Sequence, residues 1–138
     1  MKAPNFTLEQ MKKDQQVSLN SFSGKPIMLT FWASWCPNSQ KDLLVKEQFY
    51  RSLPNDNLIF LTINVTGREE DANDGIKWME DQGYTFPVLL DKGTKTYDTY
   101  QCMSVPTTVL INKDHEIAAK FTEKAKLPEI LKHLGEIL

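Results

Sequence analysis

Phe31-Trp32-Ala33-Ser34-Trp35-Cys36-Pro37-Asn38-Ser39-Gln40 is the stretch whose reading decides the fold. The run that leads into it, Ile27-Met28-Leu29-Thr30-Phe31-Trp32, is nearly continuous in apolar character, as a central strand covered on both faces is. From Asn38 to about Ser52 the pattern is helical. Val45, Phe49 and Leu53 recur every four residues as candidates to face a sheet, and Pro54-Asn55-Asp56 ends the helix. Cys36 therefore falls where a strand turns into a helix. The free N–H groups and the dipole of a helix N-terminus stabilise a thiolate, so this is a place for a sulfur that must react.

Outward from this junction the chain alternates. Phe6-Thr7-Leu8 and Val17-Ser18-Leu19 read as two short strands, and Ser23-Gly24-Lys25-Pro26 as a turn. Leu58–Val65 is a second core strand. A polar stretch, Thr66–Asp74, precedes a helix with Ile76, Trp78 and Met79 that stops near Gly83. Phe86–Asp91 is a third strand, and a short helix covers Thr96–Gln101. Thr107–Ile111 and Glu116–Phe121 flank Asn112-Lys113-Asp114-His115 as an antiparallel hairpin. The last helix, Leu127–Leu138, places Ile130, Leu131, Leu134 and Leu138 on one face, with Pro128 in its first turn. Strands alternating with helices imply a parallel sheet covered on both faces, and the closing hairpin makes it mixed.

The 138 residues fit one domain, 1–138, and a formal net charge of −2 gives no reason to expect nucleic acid as a partner. No apolar run approaches the roughly 18 residues of a membrane span. Ala3-Pro4-Asn5-Phe6 begins almost at Met1, and no signal peptide is visible ahead of it. The expectation is a cytoplasmic protein as written, or an extracytoplasmic one whose export segment has been removed. Two cysteines cannot form a disulfide framework, and His115 and His133 stand apart without metal-ligand spacing, so no metal site is expected.

Three separated motifs, Ala3-Pro4-Asn5-Phe6, Trp32-Ala33-Ser34-Trp35-Cys36-Pro37 and Val105-Pro106-Thr107-Thr108, make the chain resemble the thioredoxin superfamily, in its TlpA/ResA-like branch of thiol-disulfide oxidoreductases. The resemblance implies an α/β thioredoxin fold, with a mixed central sheet flanked by helices, an N-terminal β-hairpin and a central insertion. It implies a cis bond between Val105 and Pro106. It assigns Cys36 as nucleophile and Trp35, Pro37, Asn38, Val105 and Pro106 as substrate-binding residues. Trp32 is the better candidate for the core.

One departure matters most. The family motif is Cys-x-x-Cys, and this chain reads Cys36-Pro37-Asn38-Ser39. In a dithiol enzyme the second sulfur attacks the mixed disulfide and releases product. A serine hydroxyl is not ionised near neutral pH and cannot do so. Ser39 is expected to donate a hydrogen bond to the Cys36 thiolate, with an external thiol as the resolving partner. Three explanations stand: a natural monothiol enzyme, an engineered Cys-to-Ser trap, or a redox-inactive binding module on the same frame. Cys102 is a possible second thiol or a buried inert one, and disulfide reach, with Cα atoms under about 7 Å apart, distinguishes the two. Thioredoxins themselves carry a buried Asp at the place of Thr30, a proton-transfer role that Thr30 leaves unfilled. Glu69 and Glu70 are candidate acid/base groups in its stead, or solvated loop carboxylates. Peroxiredoxins require Pro-x-x-x-Thr/Ser-x-x-Cys, and Leu29 and Ala33 occupy those positions, which weakens a thiol peroxidase reading.

The function implied is thiol-disulfide exchange on protein or low-molecular-weight substrates, by a monomer with no organic cofactor. The rival is a binding module using the same groove.

Overall fold

A computed structural model of the chain describes residues 1–12, 14–53 and 57–138. Its centre is a mixed sheet, and the most buried strand is the one that ends at the Trp32-Ala33-Ser34-Trp35-Cys36 segment. The strands are β1 (Thr7–Gln10), β2 (Gln16–Ser18), β3 (Ile27–Trp32), β4 (Ile59–Asn64), β5 (Val88–Leu90), β6 (Thr107–Ile111) and β7 (Ile117–Phe121). The helices are α1 (Pro37–Ser52), α2 (Asp74–Gln82), α3 (Lys95–Thr99) and α4 (Leu127–Ile137). The sheet runs β2-β1-β5-β4-β3-β6-β7. The neighbours β3, β4 and β5 are parallel, and β6 and β7 are antiparallel to what they join. The N-terminal hairpin joins the sheet at β5.

Every residue of β3 is buried, because α1 and α4 cover one face while the N-terminal segment and α3 cover the other. Side chains alternate along a strand. Ile27, Leu29 and Phe31 thus pack with Tyr97 and Tyr100, whereas Met28 and Trp32 pack with Leu43, Ile130 and Leu134. Thr30, between Met28 and Trp32, faces α1.

The structure corrects two expectations about helix faces. Val45 is 42% exposed, and the buried residues of α1 are Ser39, Leu43, Lys46 and Glu47. A line drawn every four residues drifts about 40° per step around a helix of 3.6 residues per turn, so Val45, at one end of the line, falls off the side that Phe49 and Leu53 share. Phe49 and Leu53 pack against the core on the sheet side as read, Phe49 with its ring on Phe60. The stop at Pro54-Asn55-Asp56 lies outside the described residues. In α4, Ile130 and Leu134 are buried as read, but Leu138 lies beyond the last helical turn and is exposed.

The segment between β4 and β5 holds a 3-10 turn, Thr66–Arg68, and α2. Gly83 ends α2 with φ 68°, the left-handed conformation that glycine adopts at no steric cost. Gly75 is required for a different reason: a Cβ there would collide with the side-chain amide of Asn64. That close approach lets α2 start directly over the end of β4, beside the loop that follows it.

Candidate active site

Pro37 opens α1 at its first position, where the missing N–H costs nothing, and Cys36 is the extended residue that caps it. The Cys36 carbonyl accepts the Gln40 N–H at 3.0 Å, the first bond of the helix. No side chain caps this end among the described residues. The Cys36 thiol is 7% exposed and lies 3.5 Å from the carbonyl oxygen of Val105, to which it donates. The Val105–Pro106 bond is cis. Both residues of that bond are buried, while Pro37 and Asn38 are exposed. The helix start and the loop before β6 thus meet at one sulfur. Asn38 and Pro106 line the same groove, with Asp42, Val45 and Leu127.

Ser39 does not make the bond expected of it. It is fully buried, its hydroxyl accepts the Ala33 N–H at 3.4 Å, and no hydrogen bond joins it to Cys36 among the described residues. The reason is geometric: Ser39 is in the first turn of α1 and points inward beneath the strand-to-helix bend, while the cysteine side chain turns toward Val105. Ser39 secures the bend that carries Cys36.

Cys102 is a free, buried thiol. Burial pushes its pKa up to about 12, with the Lys120 ammonium and a hydrogen bond from Thr107 opposing the shift. Burial disfavours the thiolate, so such a sulfur is a poor nucleophile.

Trp35 is 53% exposed, and its indole N–H donates to the Arg68 carbonyl at 2.6 Å. Trp32 is wholly buried and packs against Trp78 at 5.7 Å between ring centres. The two glutamates differ. Glu70 is exposed on a shallow hollow that Trp35, Glu69 and Asp74 also line. Glu69 is half-buried and accepts three hydrogen bonds: Ser34 N–H at 2.7 Å, Ser34 O–H at 2.6 Å and Asn64 Nδ2 at 2.8 Å. It ties the loop after β4 to the residue two before Cys36.

The place under Thr30 is filled by a residue that sequence reasoning passed over. Lys46 is wholly buried, with its ammonium 2.8 Å from the Thr30 hydroxyl, hydrogen-bonded to the Thr108 hydroxyl, and 2.8 Å from Asp42 Oδ2. Burial drives its pKa down, and the Asp42 carboxylate opposes that shift. The signals available were the Asp42/Lys46 spacing of one helical turn and the seven residues from Ser39 to Lys46, which share a face.

A thioredoxin fold with a cysteine capping the first long helix, facing a cis-proline loop, is the class that the fold and site define. The chain belongs to the AhpC/TSA family, whose model matches residues 1–120. Thiol-disulfide oxidoreductase ResA of Halalkalibacterium halodurans is 28% identical over 120 residues, 87% of this chain and 66% of the relative. ResA of Bacillus subtilis is 30% identical over 120 residues, 87% of this chain and 65% of the relative. The sporulation thiol-disulfide oxidoreductase A of Bacillus subtilis is 31% identical over 104 residues, 75% of this chain and 60% of the relative. The chain thus spans somewhat under two thirds of the length of these relatives. Among solved structures, the exposed lipoprotein thioredoxin Etrx1 of Streptococcus pneumoniae superposes with a TM-score of 0.86 at 27% identity, covering 96% of this chain and 99% of that one. StoA of Bacillus subtilis superposes at 0.82 with 23% identity, covering 96% of this chain and 97% of that one, a likeness of fold.

Proposed function

We propose that the chain catalyses thiol-disulfide exchange through Cys36 alone. The observation that carries this reading is the 3.5 Å approach of the Cys36 sulfur, at the start of α1, to the Val105 carbonyl beside cis-Pro106. The likeness to the thiol-disulfide oxidoreductases ResA supports the same chemistry. The Cys36 thiolate attacks one sulfur of a substrate disulfide. A new S–S bond forms to Cys36 as the substrate bond breaks, and the departing sulfur leaves as a thiolate and takes up a proton. An external thiolate then attacks the mixed disulfide and frees Cys36. The net result is one substrate disulfide exchanged for one containing the external thiol, with no organic cofactor and no metal.

The Val105 backbone and Pro106 dock the substrate, Trp35 offers it an apolar ledge, and Pro37 and Asn38 border its approach. Ser39 holds the bend and breaks no bond. Cys102 takes no part, in keeping with the desolvation that holds its thiol protonated. Glu69 positions the residues before the thiol, and Glu70 stays solvated. Substrates are protein or low-molecular-weight disulfides, and the chain acts as a monomer.

The test is intact-mass analysis of the Cys102→Ala protein after exposure to oxidised glutathione. One glutathione per chain is expected, lost on adding excess thiol and absent from a Cys36→Ala control. In a Ser39→Cys variant the adduct is expected to discharge without added thiol, leaving an internal disulfide. No adduct on the folded protein would overturn the exchange reading in favour of a binding module, which the burial of Cys36 at 7% exposure also fits.

A further inference from the structure

The least expected side chain in the molecule is Lys46, because lysine is almost never fully buried without a specific set of partners. Its ammonium has three N–H donors, and the structure places three acceptors around it. Thr30 Oγ1 belongs to β3, Thr108 Oγ1 to β6 and Asp42 Oδ2 to α1. Asp42 Oδ2 has no partner besides Lys46 among the described residues.

The three elements so joined are those that build the exchange site. β3 runs into Cys36, α1 starts at Cys36, and β6 follows Val105-Pro106. Thr30 and Thr108 are direct partners across the β3–β6 ladder, one rung from its end at Phe31 and Thr107. The ladder stops there, before either reactive segment. The packing of α1 on the sheet is largely apolar, through Leu43, Met28 and Trp32, and apolar contact is non-directional. Lys46 adds directional bonds where the ladder gives out, and Asp42 carries them back to the first turns of α1.

From this geometry we infer that Lys46 is a positioning residue for disulfide exchange, setting the cis-proline loop against the helix that carries Cys36. The inference rests on the exchange reading above. A substrate strand must pair with the Val105 backbone and present its sulfur in line with Cys36 at the same time. A small disulfide needs only the sulfur. Error in the spacing of the two segments therefore penalises the extended substrate more. Burial lowers the Lys46 pKa, and the Asp42 carboxylate opposes that shift.

The experiment compares second-order rates of mixed-disulfide formation in the Cys102→Ala background. The probes are 5,5′-dithiobis(2-nitrobenzoate) and an extended decapeptide carrying a glutathionylated cysteine at its centre. Measurable rates for the unmodified Lys46 protein establish the exchange reading by themselves. In Lys46→Met the peptide rate is expected to fall at least tenfold further than the small-reagent rate, at a temperature where circular dichroism shows the fold intact. Thr108→Val, which removes one acceptor and keeps the charge pair, is expected to show the same bias at severalfold and serves if Lys46→Met does not fold. Equal loss of both rates in either folded variant overturns the inference and reduces Lys46 to a stabilising residue.

Discussion

Glu69 receives both the backbone N–H and the hydroxyl of Ser34, at 2.7 and 2.6 Å, so one carboxylate fixes the residue two positions before the reactive cysteine. Asn64, held under the start of α2 by Gly75, donates to the same carboxylate at 2.8 Å. The end of β4 thereby braces the end of β3. Replacing Glu69 by Gln leaves one acceptor oxygen for three donors and turns an N–H₂ group toward them. Hydrogen bonds to a charged group are worth about 1.5–3 kcal/mol each. Glu69→Gln is expected to cost about 2 kcal/mol in urea unfolding and to slow mixed-disulfide formation at Cys36. Unchanged stability would show the carboxylate to be a bystander.

Cys102 yields a prediction on the alkaline side. Its folded pKa, about 12, lies above the reference value of 9.0 for a thiol in water. The folded state therefore keeps a proton that the unfolded chain releases. The stability this supplies is fully present below pH 9 and is lost as pH rises toward 12. Relative to Cys102→Ala, the parent protein should lose about 1 kcal/mol between pH 8 and pH 10. Differential chemical denaturation reads this, and a constant difference would mean that the thiol is not desolvated. Iodoacetamide at neutral pH should label Cys36 and spare Cys102 until the chain unfolds.

The linkage at Lys46 runs the other way. Its folded pKa lies below 10.5, so above the folded value the unfolded chain binds more protons and stability rises with pH. Lys46→Met lacks this group and leaves Asp42, partly exposed, without its cation. The substitution is expected to cost about 3 kcal/mol at pH 7, the low end for breaking a buried pair. Its deficit should widen as pH rises toward 10.5. A deficit that narrows over that range would contradict the lowered pKa.

Glu47 governs the acid side. Burial raises its pKa, but N–H and O–H donors from Thr85, the Arg51 guanidinium and the Phe86 N–H outweigh burial, and the net shift is downward. The stability it contributes is present above pH 4.5 and lost as pH falls through the lowered value. Glu47→Gln should cost about 2 kcal/mol at pH 7 through weakened charged hydrogen bonds, and the cost should shrink in acid. Thermal melts at pH 7 and pH 3 measure both. An equal cost at the two pH values would count against the charge.

The frame was legible in the sequence because its signals are local. The unbroken apolar run of β3, the strand-to-helix change at Cys36 and the Val105-Pro106-Thr107-Thr108 motif each declare themselves within a few residues. The bracing of the site was not legible, since it depends on side chains far apart in sequence. Lys46 reads as one more charged residue on a helix until Thr30 and Thr108 are seen beneath it. Glu69 reads as a loop carboxylate until Ser34 is brought to it from 35 residues away. The bond expected of Ser39 was a matter of spacing alone: it stands one turn from Cys36, but its hydroxyl lies beneath the bend, where it accepts the Ala33 N–H.

The placement of the three tryptophans has an optical consequence. Trp32 and Trp78 pack together at a tilt, Trp32 wholly buried and Trp78 partly so, whereas Trp35 stands half in water with its indole anchored to the Arg68 carbonyl. Its ring is next in sequence to the sulfur that changes oxidation state, and disulfide sulfur quenches indole emission on contact. Trp35 is therefore the most solvated of the three emitters and the one beside Cys36, a gauge of its occupancy that needs no added label.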